Sequence, residues 1–212
     1  MSKHQKTKSG FTIIEVVLVL AIAGLIFLMV FLALPALQRS QRDTQRRDDL
    51  ARFAAQVVNY QTNNRGRVPN TSLANPGSVW VTTSDNADVT KEGLDSSLTI
   101  NDSGDWSTFL NSYMWAANDD FTDPGGTAYA VMDHGSITGD STKYSNGEDG
   151  ISKDTANIVT LSLDSVDSII HVFHGAICGT TEGVVEPSSN GSVRKLAFVY
   201  KLEGAGYYCG EV

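Results

Sequence analysis

Near its N-terminus the chain places a hydrolysable bond, a latent amine and a carboxylate within six residues. Gly10-Phe11-Thr12-Ile13-Ile14-Glu15 opens a run from Phe11 to Leu34 whose only polar members are Thr12 and Glu15. A carboxylate in such a run costs about 2.5–3.5 kcal/mol at a bilayer centre and less near the interface, so Glu15 calls for a compensating cation. Cleavage between Gly10 and Phe11 would create one, a positive α-amino group on Phe11 about one helical turn from Glu15. A neighbouring chain shifted along its axis by about one turn would bring its own Glu15 against that amine. The chemistry would then be performed on the chain, and charge neutralisation would favour a staggered stack of parallel helices.

The other chemically capable residues form no comparable constellation. There is no GxSxG, no P-loop and no glycine-rich dinucleotide fingerprint, so catalysis and a cofactor are not expected. His171 and His174 are three apart, which on a strand puts them on opposite faces and argues against a zinc pair. The loops DDFTDPGG (119–126) and SNGEDGISKD (145–154) cluster hard oxygen ligands with glycines. Neither fits the EF-hand spacing, and both read as solvated acidic turns rather than calcium or other metal sites. Asn70, Asn101 and Asn190 fit the N-x-S/T acceptor pattern in a chain whose composition makes such matches by chance. Cys178 and Cys209 read as a disulfide if their part of the chain is extracytoplasmic, and as two free thiols if it is not.

Around these residues the chain divides sharply in character. The 24 residues from Phe11 to Leu34 are enough to span about 30 Å of hydrocarbon as a helix. A removable secretory signal has a shorter apolar core and a small-residue cleavage site downstream, so this segment is expected to stay in the mature protein. Residues 1–67 hold 10 of the 16 basic and 4 of the 24 acidic residues, a net of +6, which leaves −14 for residues 68–212. An acidic, Ser/Thr/Asn/Gly-rich distal part suits a hydrated exterior surface and repels nucleic acid at long range. Counted alone, three lysines before the apolar run and five arginines after it (Arg39, Arg42, Arg46, Arg47, Arg52) would put the C-terminal part in the cytoplasm. The acidic remainder favours the opposite orientation.

One long helix from Phe11 to about Asn63 is expected, because no Gly or Pro follows Pro35 until Gly66. Arg39/Asp43, Asp43/Arg47 and Asp48/Arg52 are i,i+4 pairs that support it outside lipid. Leu50, Phe53, Ala54, Val57 and Val58 form its apolar stripe. Gly24 and Pro35 weaken the helix, and a kink or local melting between them is one reading; close helix approach at Gly24 is the other. Residues 65–104 read as an extended loop with one strand near Val79–Val81, and 106–117 as an amphipathic helix after an Asp105 cap. Five β-branched or aromatic runs (127–134, 157–163, 169–175, 195–202, 206–210) suggest an antiparallel sheet of about four strands wrapped on the second half of the long helix.

Lys3, Lys6 and Lys8, then Gly10, Phe11, Thr12 and Glu15 at the fifth position after the cut, resemble the prepilin signature of type IV pilins, over about residues 8–40. The resemblance implies an α+β, type IV pilin-like fold: one long N-terminal helix, its hydrophobic half protruding, packed on a small antiparallel sheet with a disulfide-bounded C-terminal loop. It implies a leader over 1–10, a transmembrane and filament-core helix over 11–34, an amphipathic continuation over 35–64 and a globular extracellular head over 65–212. Gly10 would precede the cut made by a prepilin peptidase, Phe11 would be the N-methylated new terminus, and Glu15 the carboxylate that sets assembly register. Gly24 and Pro35 would bound a segment that unwinds in the fibre, and Cys178 and Cys209 would delimit a variable surface loop. The implied partners are other copies in a helical filament, the membrane before assembly, and the pilus assembly machinery, with no nucleic acid on the acidic head. The precursor would sit in the inner membrane and the mature chain in a surface filament supporting adhesion or twitching motility. The alternatives are a pseudopilin or minor pilin of a type II secretion or DNA-uptake system, and a monomeric anchored domain with its leader uncleaved.

Overall fold

The computed structural model describes residues 10–70, 78–81, 99–100, 104–114, 121–137, 151–154, 156–162, 168–189, 192, 194–204 and 206–212. Lys3, Lys6 and Lys8, Asn101, Asn190, residues 145–150 of the second acidic loop and most of the loop expected over 65–104 lie outside them. The chain divides into two compact units, Met1–Gln41 and Arg42–Val212. Helix α1, Ile13–Asn63, runs without a break through Gly24 and Pro35 and contributes to both. In the first unit its large apolar side chains are exposed, from Ile13 at 85% to Leu34 at 45%, and this stretch is long and apolar enough to cross a membrane.

In the second unit α1 buries Arg46, Leu50, Phe53, Val57 and Tyr60. Their alternating spacing of four and three keeps one stripe facing inward over four turns. Val58, expected on that stripe, lies to its side and is 47% exposed, and Tyr60 takes the place. Phe53 is the centre of the contact: its ring stacks with Trp106 and Phe121 and meets Phe109 and Phe198 edge-on. Full burial of such a side chain is worth about 1.5–3 kcal/mol, so this stripe is what fixes the helix to the head.

The stripe packs on one face of a six-stranded sheet. Its strands are β1 (Ser78–Val81), β2 (Thr99–Ile100), β3 (Ala130–Ser136), β6 (Ile169–His174), β9 (Leu196–Lys201) and β10 (Tyr207–Glu211), in the order β10-β9-β6-β3-β1-β2. The opposite face meets a four-stranded antiparallel sheet of β4 (Ile151–Lys153), β5 (Val159–Leu161), β8 (Val184–Pro187) and β7 (Ala176–Cys178). Strand β9 reads the layering directly. Leu196, Phe198 and Tyr200 join the helix-side core, while Ala197 and Val199 join the core between the sheets. With both faces covered, the strand is apolar at nearly every position, as a doubly covered strand must be.

The fold class is the expected α+β arrangement of a long N-terminal helix on antiparallel sheet with a Cys178–Cys209 disulfide near the C-terminus. The strands are divided differently from the single sheet of about four. Residues 157–163 supply β5 of the second sheet, and β3 and β6 run parallel, with Ala130 opposite Ile169 and Asp133 opposite Val172. Helix α2 (Asp105–Phe109) passes into one wider turn, Leu110–Met114, and buries Trp106, Phe109, Leu110 and Met114, while residues 115–117 of the expected helix lie outside the described residues. Its cap is Gly104 rather than Asp105. The backbone there has φ 97°, open to glycine, and no side chain caps the helix.

Candidate functional site

The residues singled out for chemistry meet at the start of α1. Gly10 and Phe11 are exposed, Phe11 at 90%, and nothing lies within 4 Å of the Gly10 Cβ position. Thr12 stands at the position before the first helical residue, and Glu15 is the third residue of the helix. The Glu15 carboxylate turns back on Thr12: Oε2 accepts the Thr12 backbone N–H at 2.9 Å and the Thr12 hydroxyl at 2.8 Å. This is the carboxylate half of a capping box, and it places a negative charge at the positive end of the helix. Within a single chain, Glu15 is therefore held by its own helix start, and Oε1 has no hydrogen bond among the described residues. The arrangement leaves one carboxylate oxygen able to accept from an amine brought by another molecule.

Residues 5–31 match the prokaryotic N-terminal methylation motif. The chain carries the type IV prepilin signature. The motif covers Gly10, Phe11, Glu15 and Gly24, and stops before Pro35. It marks the N-terminus of a type IV pilin-like or pseudopilin-like protein and points to a structural subunit rather than an enzyme. It also fits a precursor anchored in the membrane by the apolar half of α1. No curated protein and no solved structure matches the chain significantly.

The second unit contains a polar centre that the sequence reading did not assemble. Arg46 continues the α1 stripe one turn before Leu50 and is 2% exposed, so its guanidinium must be matched inside the protein. It donates to both oxygens of Asp123, to Asp43 Oδ1 at 3.0 Å and to Glu203 Oε1 at 3.0 Å. Asp123 also accepts the Tyr200 hydroxyl at 3.0 Å and the Gly125 N–H at 2.7 Å, and Arg42 forms a two-pronged pair with Glu203. Asp43 binds the N–H groups of Glu203 and Gly204 in addition to Arg46, in place of the expected i,i+4 partners. Burial alone would raise the Asp123 carboxyl, and the bonds from Arg46, Gly125 and Tyr200 hold it below its ordinary value. Glu203 is lowered chiefly by Arg42, against a smaller opposing effect of burial. Asp123, expected in a solvated acidic turn, is instead 5% exposed and engaged with Arg46. Repeating the four-three spacing back from Leu50 is the signal that would have placed Arg46 inside.

The histidines divide as the strand geometry requires. His174 Nε2 lies 3.0 Å from Asp133 Oδ2, which also accepts the Trp106 indole N–H at 2.7 Å on the helix side. His171 points to the other face, where its Nδ1 is 3.0 Å from His134 Nε2 and the His134 ring stacks on Phe173. Burial pushes the His134 pKa down to about 4 and His171 well below its ordinary value. No group of three His, Cys, Asp or Glu suited to a metal occurs among the described residues. Cys178 and Cys209 are bonded, and they join β7 of the small sheet to β10 at the edge of the large one.

Proposed function

We propose that the chain is the structural subunit of a type IV pilus-like surface filament. A prepilin peptidase would cut after Gly10, Phe11 would become the N-methylated terminus, and the apolar half of α1 would exchange lipid for neighbouring helices in a dry filament core. Glu15 of one copy would pair with the Phe11 amine of the next and set the axial register. The observation that carries this reading is the methylation motif coinciding with an exposed apolar helix whose single carboxylate stands at the fifth position after Gly10. Within the filament the segment between Gly24 and Pro35 would be where the helix yields under load, since Pro35 leaves one helical carbonyl without a donor. Two of the five arginines that follow the apolar run, Arg42 and Arg46, are neutralised by carboxylates of the head, which weakens the charge argument for a cytoplasmic head.

Adhesion and twitching motility would be activities of such a filament. A pseudopilin or minor pilin shares the same motif and the same Glu15, and abundance in sheared surface material separates the readings, because a major subunit dominates it. The test of the assembly role is Glu15→Ala. Cleavage and membrane insertion should be unchanged while filament yield falls about tenfold or more, as expected for loss of one partner of a desolvated charge pair. Undiminished yield would refute the role.

A further inference from the structure

The head carries two charged surfaces of opposite sign, one where α1 ends and one around the disulfide, whose residues form no salt bridge among the described residues. Residues 64–212 contain eight cations, and four of them, Arg65, Arg67, Arg194 and Lys195, are gathered where α1 ends. The fold builds this patch from two distant segments. Gln61 donates its side-chain amide to the Arg194 carbonyl at 3.0 Å, and Nη1 of Arg194 lies 3.7 Å from the Gly66 Cβ position, between Arg65 and Arg67. All four cations are exposed and none forms a salt bridge among the described residues. Asp105 is a carboxylate on this side, felt by Tyr60 together with Arg67, and it too forms no salt bridge there.

The acidic counterpart surrounds the disulfide on the small-sheet side. Glu211, two residues beyond Cys209, accepts the Cys178 N–H at 3.2 Å, and Glu186 sits on β8 next to Val185, the partner of Cys178. Glu182 lies in the β7–β8 turn with Oε2 3.2 Å from the Gly206 Cβ position. Glu182 and Glu211 are exposed and Glu186 half-buried, and no cation pairs with any of them among the described residues.

Two different, mutually complementary surfaces on one chain define a heterologous contact, and a heterologous contact that does not close generates an open helix. Identical heads that each carry an excess of acid repel when crowded, unless cations are concentrated where a neighbour's acid falls. We propose that the Arg65, Arg67, Arg194 and Lys195 patch of one copy docks on the Glu182, Glu186 and Glu211 surface of the next copy. The contact would join heads around the filament, and the inference rests on the filament reading above. An external polyanion is the weaker occupant because the whole chain, at −8, repels it at long range.

The test uses full-length chain assembled in cells. Arg194→Glu with Lys195→Glu should lower the yield of sheared filaments at physiological salt by between about twofold and thirtyfold, the range for reversing two exposed pairs. Adding Glu182→Lys and Glu186→Lys to the same chain should restore it, which a merely structural defect would not do. Thermal unfolding of each variant in detergent, unchanged from wild type, shows that the head is intact; a variant that melts early is replaced by Arg194→Gln with Lys195→Gln, expected to act in the same direction. Wild-type filaments whose yield ignores the reversal, or a reversal that the second pair of changes does not rescue, overturn the head contact alone. Absence of any wild-type filament overturns the filament reading and the contact with it. Binding of a short DNA duplex to wild type but not to the reversed variant, with filament yield unmoved, overturns the choice of occupant.

Discussion

Replacing Arg46 by alanine tests the claim that a buried guanidinium fastens α1 to the head. The substitution removes the cation from three carboxylates, and the structure says which of them suffers. Asp43 keeps the N–H groups of Glu203 and Gly204, and Glu203 keeps Arg42. Among the described residues Asp123, 5% exposed, is left with only the Tyr200 hydroxyl and the Gly125 N–H for a full negative charge. Breaking a buried pair from one side costs about 3–5 kcal/mol. For a unit of this size each kcal/mol moves the midpoint by about 2–4 °C, so Tm should fall by roughly 6–20 °C. The assay is thermal unfolding of the detergent-solubilised chain at pH 7 by circular dichroism, with exposed Arg47→Ala as the control. Asp123 has a depressed folded-state pKa, so the pair contributes fully above the unfolded carboxylate value of about 4 and is lost as pH falls through the folded value. The deficit of Arg46→Ala should therefore shrink below pH 4. A loss under about 1 kcal/mol, or one equal to the control, would refute the reasoning, because an exposed pair costs no more than that.

Serine at both Cys178 and Cys209 should cost roughly 3–4 kcal/mol by releasing a loop closed over a separation of 31 residues, seen as a lower Tm that matches wild type under reductant. Gly210→Ala should cost about 1–3 kcal/mol, since a Cβ there runs into the Phe198 ring across the β9–β10 pair; an unchanged denaturant midpoint would show that the ring moves aside freely. His134 and His171 are held neutral by burial, with His134 lowered to about 4, so their stabilisation is complete above the unfolded value of about 6.5 and declines as pH falls towards 4. A Tm-against-pH profile should slope upward through that window, and His171→Leu should flatten it.

The N-terminal site was legible because its signals are local. An uncharged apolar run, one carboxylate and a preceding glycine are all visible within a few residues, and the i,i+3 geometry that seats Glu15 on Thr12 follows from helix spacing. Helix α1 was legible for the same reason, from its uninterrupted composition. The sheets were only partly so. Their strand segments announce themselves through β-branched and aromatic runs, but the parallel pairing of β3 with β6 is set by chain crossover, which no local pattern encodes. Short strands such as β7 and β8 flank the disulfide and carry too few residues for a period to show. The Arg46 centre depends on contacts 77 and 157 positions apart in sequence, and helical i,i+4 pairing offered Asp43 a nearer and mistaken set of partners.

The central claim is that the chain is cut after Gly10 and assembled. Its most direct test is mass spectrometry of the N-terminal peptide of this protein in sheared cell-surface material. The account predicts an abundant chain that begins at a methylated Phe11. A chain that keeps Met1 and its leader, confined to the membrane fraction, would contradict it.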